Sequence, residues 1–241
     1  MKLTSAEYKE IARDALKGNW GRAIGAMLIA ACLGAFFTSL YFISHFMFIM
    51  SVAIRIFENL PHYFLMLVGI GIVLAVFFFF AGGPARFGYI DFNLALLDRR
   101  EAVPSMVLGR FSLIWKGMYM KIALFFYELF FTILLIIPGI VTMYAYAMVP
   151  YILEEKKDYT VGKAMKMSRK IMRGHKWELF FLRFSFLGWY ILSLLTFGLA
   201  LFYVLPYMNT AEAVFYNEIS GRADALSLIH ISEPTRPLYI S

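Results

Sequence analysis

The feature that most constrains this chain is a series of apolar runs, several of them long enough to cross a lipid bilayer. About 20 helical residues, each rising 1.5 Å, cover a hydrocarbon layer of ~30 Å. Hydrophobic residues make up 61% of the chain and charged ones 16%, whereas soluble domains have about 45–50% and about 25%. The sequence therefore predicts an all-α, polytopic membrane protein. Its six predicted spans, arranged as three hairpins, are 24–44, 63–81, 118–137, 140–153, 177–195 and 199–216.

Turn-forming residues separate several of these runs. Gly82-Gly83-Pro84 predicts the end of the second span, and Pro138-Gly139 predicts a turn between the third and fourth. The fourth run is short for a full crossing, so a tilted or re-entrant segment is an open alternative. The second helix of each hairpin carries a proline toward its cytoplasmic end, at Pro84, Pro150 and Pro206, which is a weak sign of an internal repeat.

The positions of the positive charges predict the orientation. Five Lys or Arg precede the first span, five lie between the second and third, and eight lie between the fourth and fifth. The loops on the opposite side contain a single Lys or Arg residue, Arg55. Because positive loops stay in the cytoplasm, both termini are predicted to be cytoplasmic, with anionic phospholipid headgroups as partners. The net charge of +7 is dispersed between apolar runs, which disfavours nucleic acid as a partner.

Two amphipathic helices are predicted on the cytoplasmic side. The first covers residues 1–18, where Thr4 and Glu7 fit a capping box and Gly18 ends the helix. The second covers 160–173 and has one apolar face. Its basic residues, predicted to contact anionic lipid, are Lys163, Lys166, Arg169, Lys170 and Arg173. The alternative is a solvated helix that touches no lipid.

A few polar residues inside the apolar runs are candidates for a functional site. Glu128 lies near the middle of the third span, where a carboxylate costs about 2–3 kcal/mol. Arg183 lies six residues into the fifth span, and we hypothesise that it pairs with Glu128. The alternative is that Arg183 reaches the headgroups and Glu128 is protonated. Asn209 and Glu212 follow Pro206 in the sixth span, where they either line a cavity or are hydrated at the interface.

The sequence offers no pattern typical of an enzyme. It contains no Gly-x-Ser-x-Gly elbow, no phosphate-binding loop and no His-Glu-x-x-His motif. His45, His62 and His175 have no ligand spacing, and Cys32 is the only cysteine. We therefore predict a protein without catalytic activity, metal or cofactor.

The last residues look foreign to the rest of the chain. Residues 226–236 read Leu-Ser-Leu-Ile-His-Ile-Ser-Glu-Pro-Thr-Arg, which is the translation, in one frame, of a transposase adapter used in sequencing libraries. We expect 226–241 to be adapter read-through and the natural sequence to be interrupted near Ala225, so residues 226–241 carry no information about function.

Several segments together resemble one family of small bacterial integral membrane proteins, known as domain-of-unknown-function 975. They are Ala15–Gly21, Gly82–Pro84 with Gly88-Tyr89, Leu134–Ile140, Ser168-Arg169 with Met172, Gly174–Phe180, Phe184–Trp189 and Leu205–Met208. The resemblance implies a location in the bacterial cell membrane and supplies no activity or site residue. A more distant likeness is to the membrane domain attached to some glycerophosphodiester phosphodiesterases, but this chain has no hydrolase domain.

Two functions follow from these patterns. The first is a non-enzymatic structural, envelope or partner-organising role, with a membrane protein or a second copy of the chain as possible partner. The second is a small transporter or exporter, with a polar cavity near Glu128, Arg183 and the helix broken at Pro206.

Overall fold

A computed structural model of the protein describes residues 3–36, 61–134 and 136–222. Within these ranges the chain is all-α, as predicted, and contains no strand. The predicted adapter segment 226–241 and the second part of the first span lie outside the described residues. The helices are α1 Ser5–Leu16, α2 Trp20–Cys32, α3 Pro61–Leu97, α4 Ile114–Leu134, α5 Ile136–Ala145, α6 Val149–Glu155, α7 Val161–Ile171, α8 Lys176–Phe184, α9 Leu187–Leu195 and α10 Leu201–Ile219. Short 3-10 helices, Pro104–Leu108 and Phe111–Leu113, connect α3 to α4.

The amphipathic helix predicted at the N-terminus is α1. Its capping box is confirmed, because the Thr4 hydroxyl accepts from the Glu7 amide at 3.4 Å and the Glu7 carboxylate accepts from the Thr4 amide at 2.6 Å. The apolar face buries Tyr8, Ala12 and Leu16. This face packs on α10, so the two ends of the described chain lie together.

The first predicted span does not form one continuous helix. Helix α2 ends at Cys32, and Gly34 adopts a φ of +78°, a left-handed conformation that glycine accepts more readily than other residues. The Gly34 and Ala35 amides donate to the carbonyls of Ala31 and Ala30, so the last turn of the helix is closed by backbone hydrogen bonds.

The helix end predicted at Gly82-Gly83-Pro84 is wrong, because α3 continues through these residues to Leu97. The two glycines instead allow close packing. A Cβ atom added to Gly83 would lie 2.6 Å from the backbone of Gly117 in α4, and one added to Gly117 would lie 2.8 Å from the backbone of Gly83. The two helices therefore cross with their backbones in contact, as small residues permit in membrane proteins.

The turn predicted between the third and fourth spans is wrong in its position, Pro138-Gly139. Both residues lie inside α5, with Pro138 in its first turn, where a helix needs no backbone donor. Helices α4 and α5 nevertheless pack against each other, with the Tyr127 and Tyr146 rings 5.5 Å apart. The chain turns again at residues 146–148, so the predicted fourth span 140–153 is divided between α5 and α6.

The predicted fifth span is also divided, into α8 and α9, by Ser185-Phe186. The sixth corresponds to the single helix α10, which contains Pro206. By length and apolar composition, two helical segments of the described ranges could cross a membrane, Gly69–Leu97 and Lys176–Leu195. The six-span arrangement stays a prediction.

Two regions with different burial divide the molecule. We call residues 81–96, 145–154 and 204–217 the packed half, since most of their side chains are buried, together with the inner faces of α1 and α7. We call 69–80, 122–131 and 187–203 the apolar half, where Ser193 alone among the described side chains is buried. The boundary falls inside α3 at Ala81 and inside α10 at Val204.

Candidate functional site

The candidate site begins with an ion pair between α8 and α10. The Arg183 Nε atom lies 2.8 Å from Glu212 Oε1, and its Nη2 lies 3.3 Å from Oε2. Glu212 is almost completely buried, whereas the Arg183 side chain is 30% exposed. The guanidinium also stands 5.5 Å from the centre of the Tyr144 ring. This fork geometry satisfies both carboxylate oxygens, as a buried carboxylate requires.

The hypothesis that Arg183 pairs with Glu128 is therefore wrong, because Arg183 pairs with Glu212. Glu128 lies half-buried on α4 and has no ion-pair partner among the described residues. The position of a residue along its helix predicts how far across the membrane its side chain lies. Two side chains pair only if the helix faces that carry them also meet. In the structure, it is α10 that presents a carboxylate to Arg183.

A cleft of about 530 Å³ opens beside this ion pair. Glu212 and Arg183 contribute to one part of its wall, and Arg86 from α3 contributes a second guanidinium. Arg86 stands 5.5 Å from the centre of the Phe36 ring and has no carboxylate partner among the described residues. The remaining lining residues are Ala31, Phe36, Tyr190, Leu205, Met208 and Asn209. The cleft therefore combines a net positive charge with an apolar wall.

The polar side chains of α10 next to the cleft have hydrogen-bond partners within the protein. Asn209, which is buried and not hydrated at a surface, donates from its amide to the Leu205 carbonyl at 2.7 Å. The Thr210 hydroxyl lies 2.9 Å from the Pro206 carbonyl and 3.0 Å from Asn93 Oδ1. These contacts place polar groups around the proline, where the helix lacks one backbone donor. They tie α10 to α3 across the packed half.

A second charged cluster lies in the packed half, and the sequence analysis missed it. Arg110 bridges two carboxylates, with Nε 2.7 Å from Glu154 and Nη2 2.8 Å from Asp91. Burial raises the pKa of Glu154 to about 7, an effect that Arg110 opposes and Asp91 reinforces. One oxygen of the Glu154 carboxylate has no hydrogen-bond partner among the described residues. The carboxylate is therefore prepared to take up a proton near neutral pH.

Further polar contacts join the helix ends at the same end of the molecule. Arg222 lies 2.6 Å from Asp98, which ties the segment after α10 to the segment after α3. The Tyr8 hydroxyl donates to Glu218, and the Leu3 amide donates to the same side chain at 3.0 Å. One signal for these clusters is visible in the sequence, because Asp91 interrupts an otherwise apolar stretch of α3.

The basic helix predicted at 160–173 is α7, and its two faces have different surroundings. Val161, Ala164 and Met172 are buried against the protein, so the apolar face is not free to enter lipid. The predicted basic residues lie on the exposed side, and four basic side chains there, with Lys176, border an open cleft of about 610 Å³. The residues of this basic surface are Lys163, Lys166, Arg169, Lys170 and Arg173. Any contact with lipid from this face would be made by charge.

The comparisons with known proteins give one match. The family model described as a protein of unknown function (DUF975) matches residues 90–223, which is more than half of the chain. The matched range contains the Arg183–Glu212 pair and the Arg110 cluster, and it begins after Arg86. Neither the curated proteins nor the solved structures yielded a match.

Proposed function

Because this chain belongs to a family described only as proteins of unknown function (DUF975), we propose its role from its surfaces. It is a multi-pass protein of the bacterial cell membrane with a structural or partner-organising role and no catalytic activity. Two features support this proposal: the apolar half provides a surface suited to lipid, and the packed half carries the charges suited to the cytoplasmic side.

The proposal rests on one observation: the apolar half exposes many large apolar side chains. In α3 they include Val73, which is 67% exposed, and in α9 they include Leu194, which is 80% exposed. Monomeric soluble proteins rarely expose contiguous apolar patches beyond a few hundred Å². A hydrocarbon environment removes this cost, because lipid tails are as apolar as the side chains they meet.

The charged contacts between helix ends support placing both termini on the same side of the membrane. The segments predicted to be cytoplasmic are the N-terminus, the connection after α3, the connection after α6 and the segment after α10. They meet at one end of the molecule through the contacts of Glu218 and Asp98 described above. The Tyr216 hydroxyl also donates to Glu155 at the end of α6. Segments on opposite sides of a bilayer could not make these contacts, so the predicted orientation is internally consistent.

The partner-organising role is assigned to the basic surface of α7. Its exposed Lys and Arg side chains suit the negative surface potential of the cytoplasmic leaflet, at about 1 kcal/mol per charge near the surface. An acidic segment of a membrane protein would complement the same surface. Because the apolar face of α7 is buried, the interaction depends on charge and should weaken as salt increases.

A second candidate function, a small transporter or exporter, is favoured by the cleft beside Pro206. It predicts that a small solute raises the melting temperature saturably and that Arg86→Gln abolishes this shift. A solute screen that yields no saturable shift would leave the structural role alone.

The proposed membrane arrangement can be tested with single cysteines. Cys32→Ser removes the only thiol of the chain. Single cysteines are then placed at Phe197 in the turn after α9, at Lys170 on α7 and at Val73 in the apolar half. In intact cells a membrane-impermeant maleimide should label position 197 alone. Permeabilisation should expose position 170, and position 73 should react only after denaturation.

Other labelling patterns would contradict parts of the proposal. Labelling of position 170 in intact cells would show that the orientation is the opposite of the one proposed. Reaction of position 73 in the native protein, together with extraction of the chain by alkaline carbonate, would remove the membrane-spanning role. Variants Lys170→Gln and Val73→Ala, each in the same cysteine-free background, control for unspecific reaction.

A further inference from the structure

We propose that the cleft between α2, α3, α8, α9 and α10 binds an amphiphile with an anionic phosphate headgroup, whose charge contacts Arg86 and whose chain lies along the apolar wall. This site differs from the basic surface of α7 and is not needed for the structural role proposed above. The inference therefore goes beyond that role, and binding in detergent can succeed or fail whatever the cysteine labelling shows.

The charge balance of the cleft indicates an anion. Three charged side chains line it, and two of them, Arg183 and Glu212, neutralise each other through a two-point contact. Arg86 is left without a carboxylate partner among the described residues. The half-buried Arg86 guanidinium contacts the Phe36 ring and borders the cleft, where it offers several donors to phosphate oxygens.

The apolar residues of the lining indicate that the ligand also has a hydrocarbon chain. Ala31, Phe36, Leu205 and Met208 supply apolar surface, and the methionine side chain adapts to irregular shapes. The volume of about 530 Å³ falls in the range of small-molecule sites. Basic pockets between membrane helices commonly hold lipid headgroups on the cytoplasmic side.

The test uses the full chain in an uncharged maltoside detergent, with octyl phosphate below its micelle-forming concentration as the probe. Binding is followed by the shift in melting temperature and by calorimetry. Arg86→Gln should weaken octyl phosphate about tenfold or more, because it removes a charge-assisted contact. Arg86→Lys should retain part of the affinity. Arg173→Gln, which removes a charge from the basic surface of α7, should change it by less than about twofold.

Three further probes separate the headgroup from the chain. Inorganic phosphate and octanol should each bind at least about tenfold more weakly than octyl phosphate, and octyltrimethylammonium should not compete. Ala31→Phe places a larger side chain in the lining of the cleft, and it should weaken the binding of octyl phosphate while leaving the fold intact. If Arg86→Gln does not fold, the Ala31 variant and the competing probes still decide the question.

Four results would overturn the proposal. Octyltrimethylammonium or inorganic phosphate could bind as tightly as octyl phosphate, which gives the first two. In the third, Arg86→Gln and Ala31→Phe both leave the affinity for octyl phosphate unchanged. In the fourth, Arg173→Gln weakens octyl phosphate as much as Arg86→Gln does.

Mass spectrometry of the intact protein then identifies the source of the ligand. A phospholipid that co-purifies with the chain and is lost in Arg86→Gln identifies the membrane as source. Octyl phosphate binding without a retained lipid identifies a soluble phosphorylated amphiphile.

Discussion

The two parts of helix α3 have similar backbones and opposite surroundings. From Gly69 to Phe80 every described side chain is at least partly exposed, and the exposed residues include Val73 and Phe77. From Ala81 to Leu96 nearly every side chain is buried, and the buried residues include Asn93. The more polar part of the helix is therefore the better packed part. This inverts the pattern of a soluble domain and agrees with the proposal that the exposed part of α3 meets lipid.

The largest expected difference between the two parts of α3 is the effect of a Gly→Ala substitution on the free energy of unfolding. Gly83→Ala should reduce the free energy of unfolding by about 3 kcal/mol or more, because its Cβ would overlap the Gly117 backbone. Gly69→Ala, in the same helix, has no neighbour within 4 Å and should be neutral or stabilising by up to about 1 kcal/mol. Unfolding in mixed micelles of denaturing detergent measures both variants. Equal effects would show that α3 and α4 do not cross at these glycines.

The next largest effect concerns the ion pair at the edge of the cleft. Arg183→Gln should cost about 2–3 kcal/mol, because it leaves the Glu212 carboxylate buried without its partner. Replacing both residues, by Met at 183 and Leu at 212, should recover much of this loss. The exposed pair Lys17–Asp14 is the control, and Asp14→Asn should change stability by less than about 0.5 kcal/mol. Additive single and double variants would show that Arg183 and Glu212 do not interact.

A smaller effect is expected from pH. The pKa of Glu154, about 7 in the folded protein, exceeds its ordinary value of 4.5, so the folded state holds the proton more tightly. The corresponding stability is fully present below about pH 4.5 and is lost as pH rises through 7. The free energy of unfolding should thus fall by on the order of 2 kcal/mol between pH 5 and pH 8.

Glu154→Gln should remove this pH dependence, whereas Glu101→Gln, at an exposed position, should preserve it. Stability measured across this range in one detergent distinguishes the two variants. A wild-type protein that gains stability with rising pH, or an unchanged slope in Glu154→Gln, would refute the assignment to this carboxyl.

The smallest effect on folding is expected at the basic surface of α7. Replacing Lys163, Lys166, Arg169 and Lys170 by Gln should change stability by less than about 0.5 kcal/mol, since these side chains project into solvent. The same variant should retain fewer anionic phospholipids in mass spectra of the intact protein, and its lipid retention should respond less to salt. Replacing the three lysines by Arg keeps the charge and should keep the lipid. Equal lipid retention in both variants would remove the proposed contact.

The elements that local chemistry determines could be predicted from the sequence. The capping box of α1 depends on Thr4 and Glu7, which are three residues apart, and α7 follows from its alternation of apolar and basic residues. The location of α10 also agrees with its apolar run. In each of these cases the deciding contacts lie within a few residues of one another.

The elements that tertiary contacts determine could not be predicted in this way. Gly82-Gly83-Pro84 has the local properties of a helix end, yet α3 continues through it and packs closely against Gly117 there. Arg183 was recognised as a candidate, but its partner depends on which helix faces α8. The carboxylates of Asp91 and Glu154 are far apart in sequence, so only the fold shows that Arg110 joins them. A single sequence does not contain this neighbour information.

The contact between α1 and the end of α10 has a consequence for the order of synthesis. Tyr8 packs against Phe215 at a ring distance of 5.5 Å and donates to Glu218, while the Tyr207 hydroxyl donates to the Lys9 carbonyl at 3.1 Å. Synthesis at about 5–20 residues per second produces α1 well before α10. The N-terminal helix therefore cannot reach this docking surface until α10 has been made.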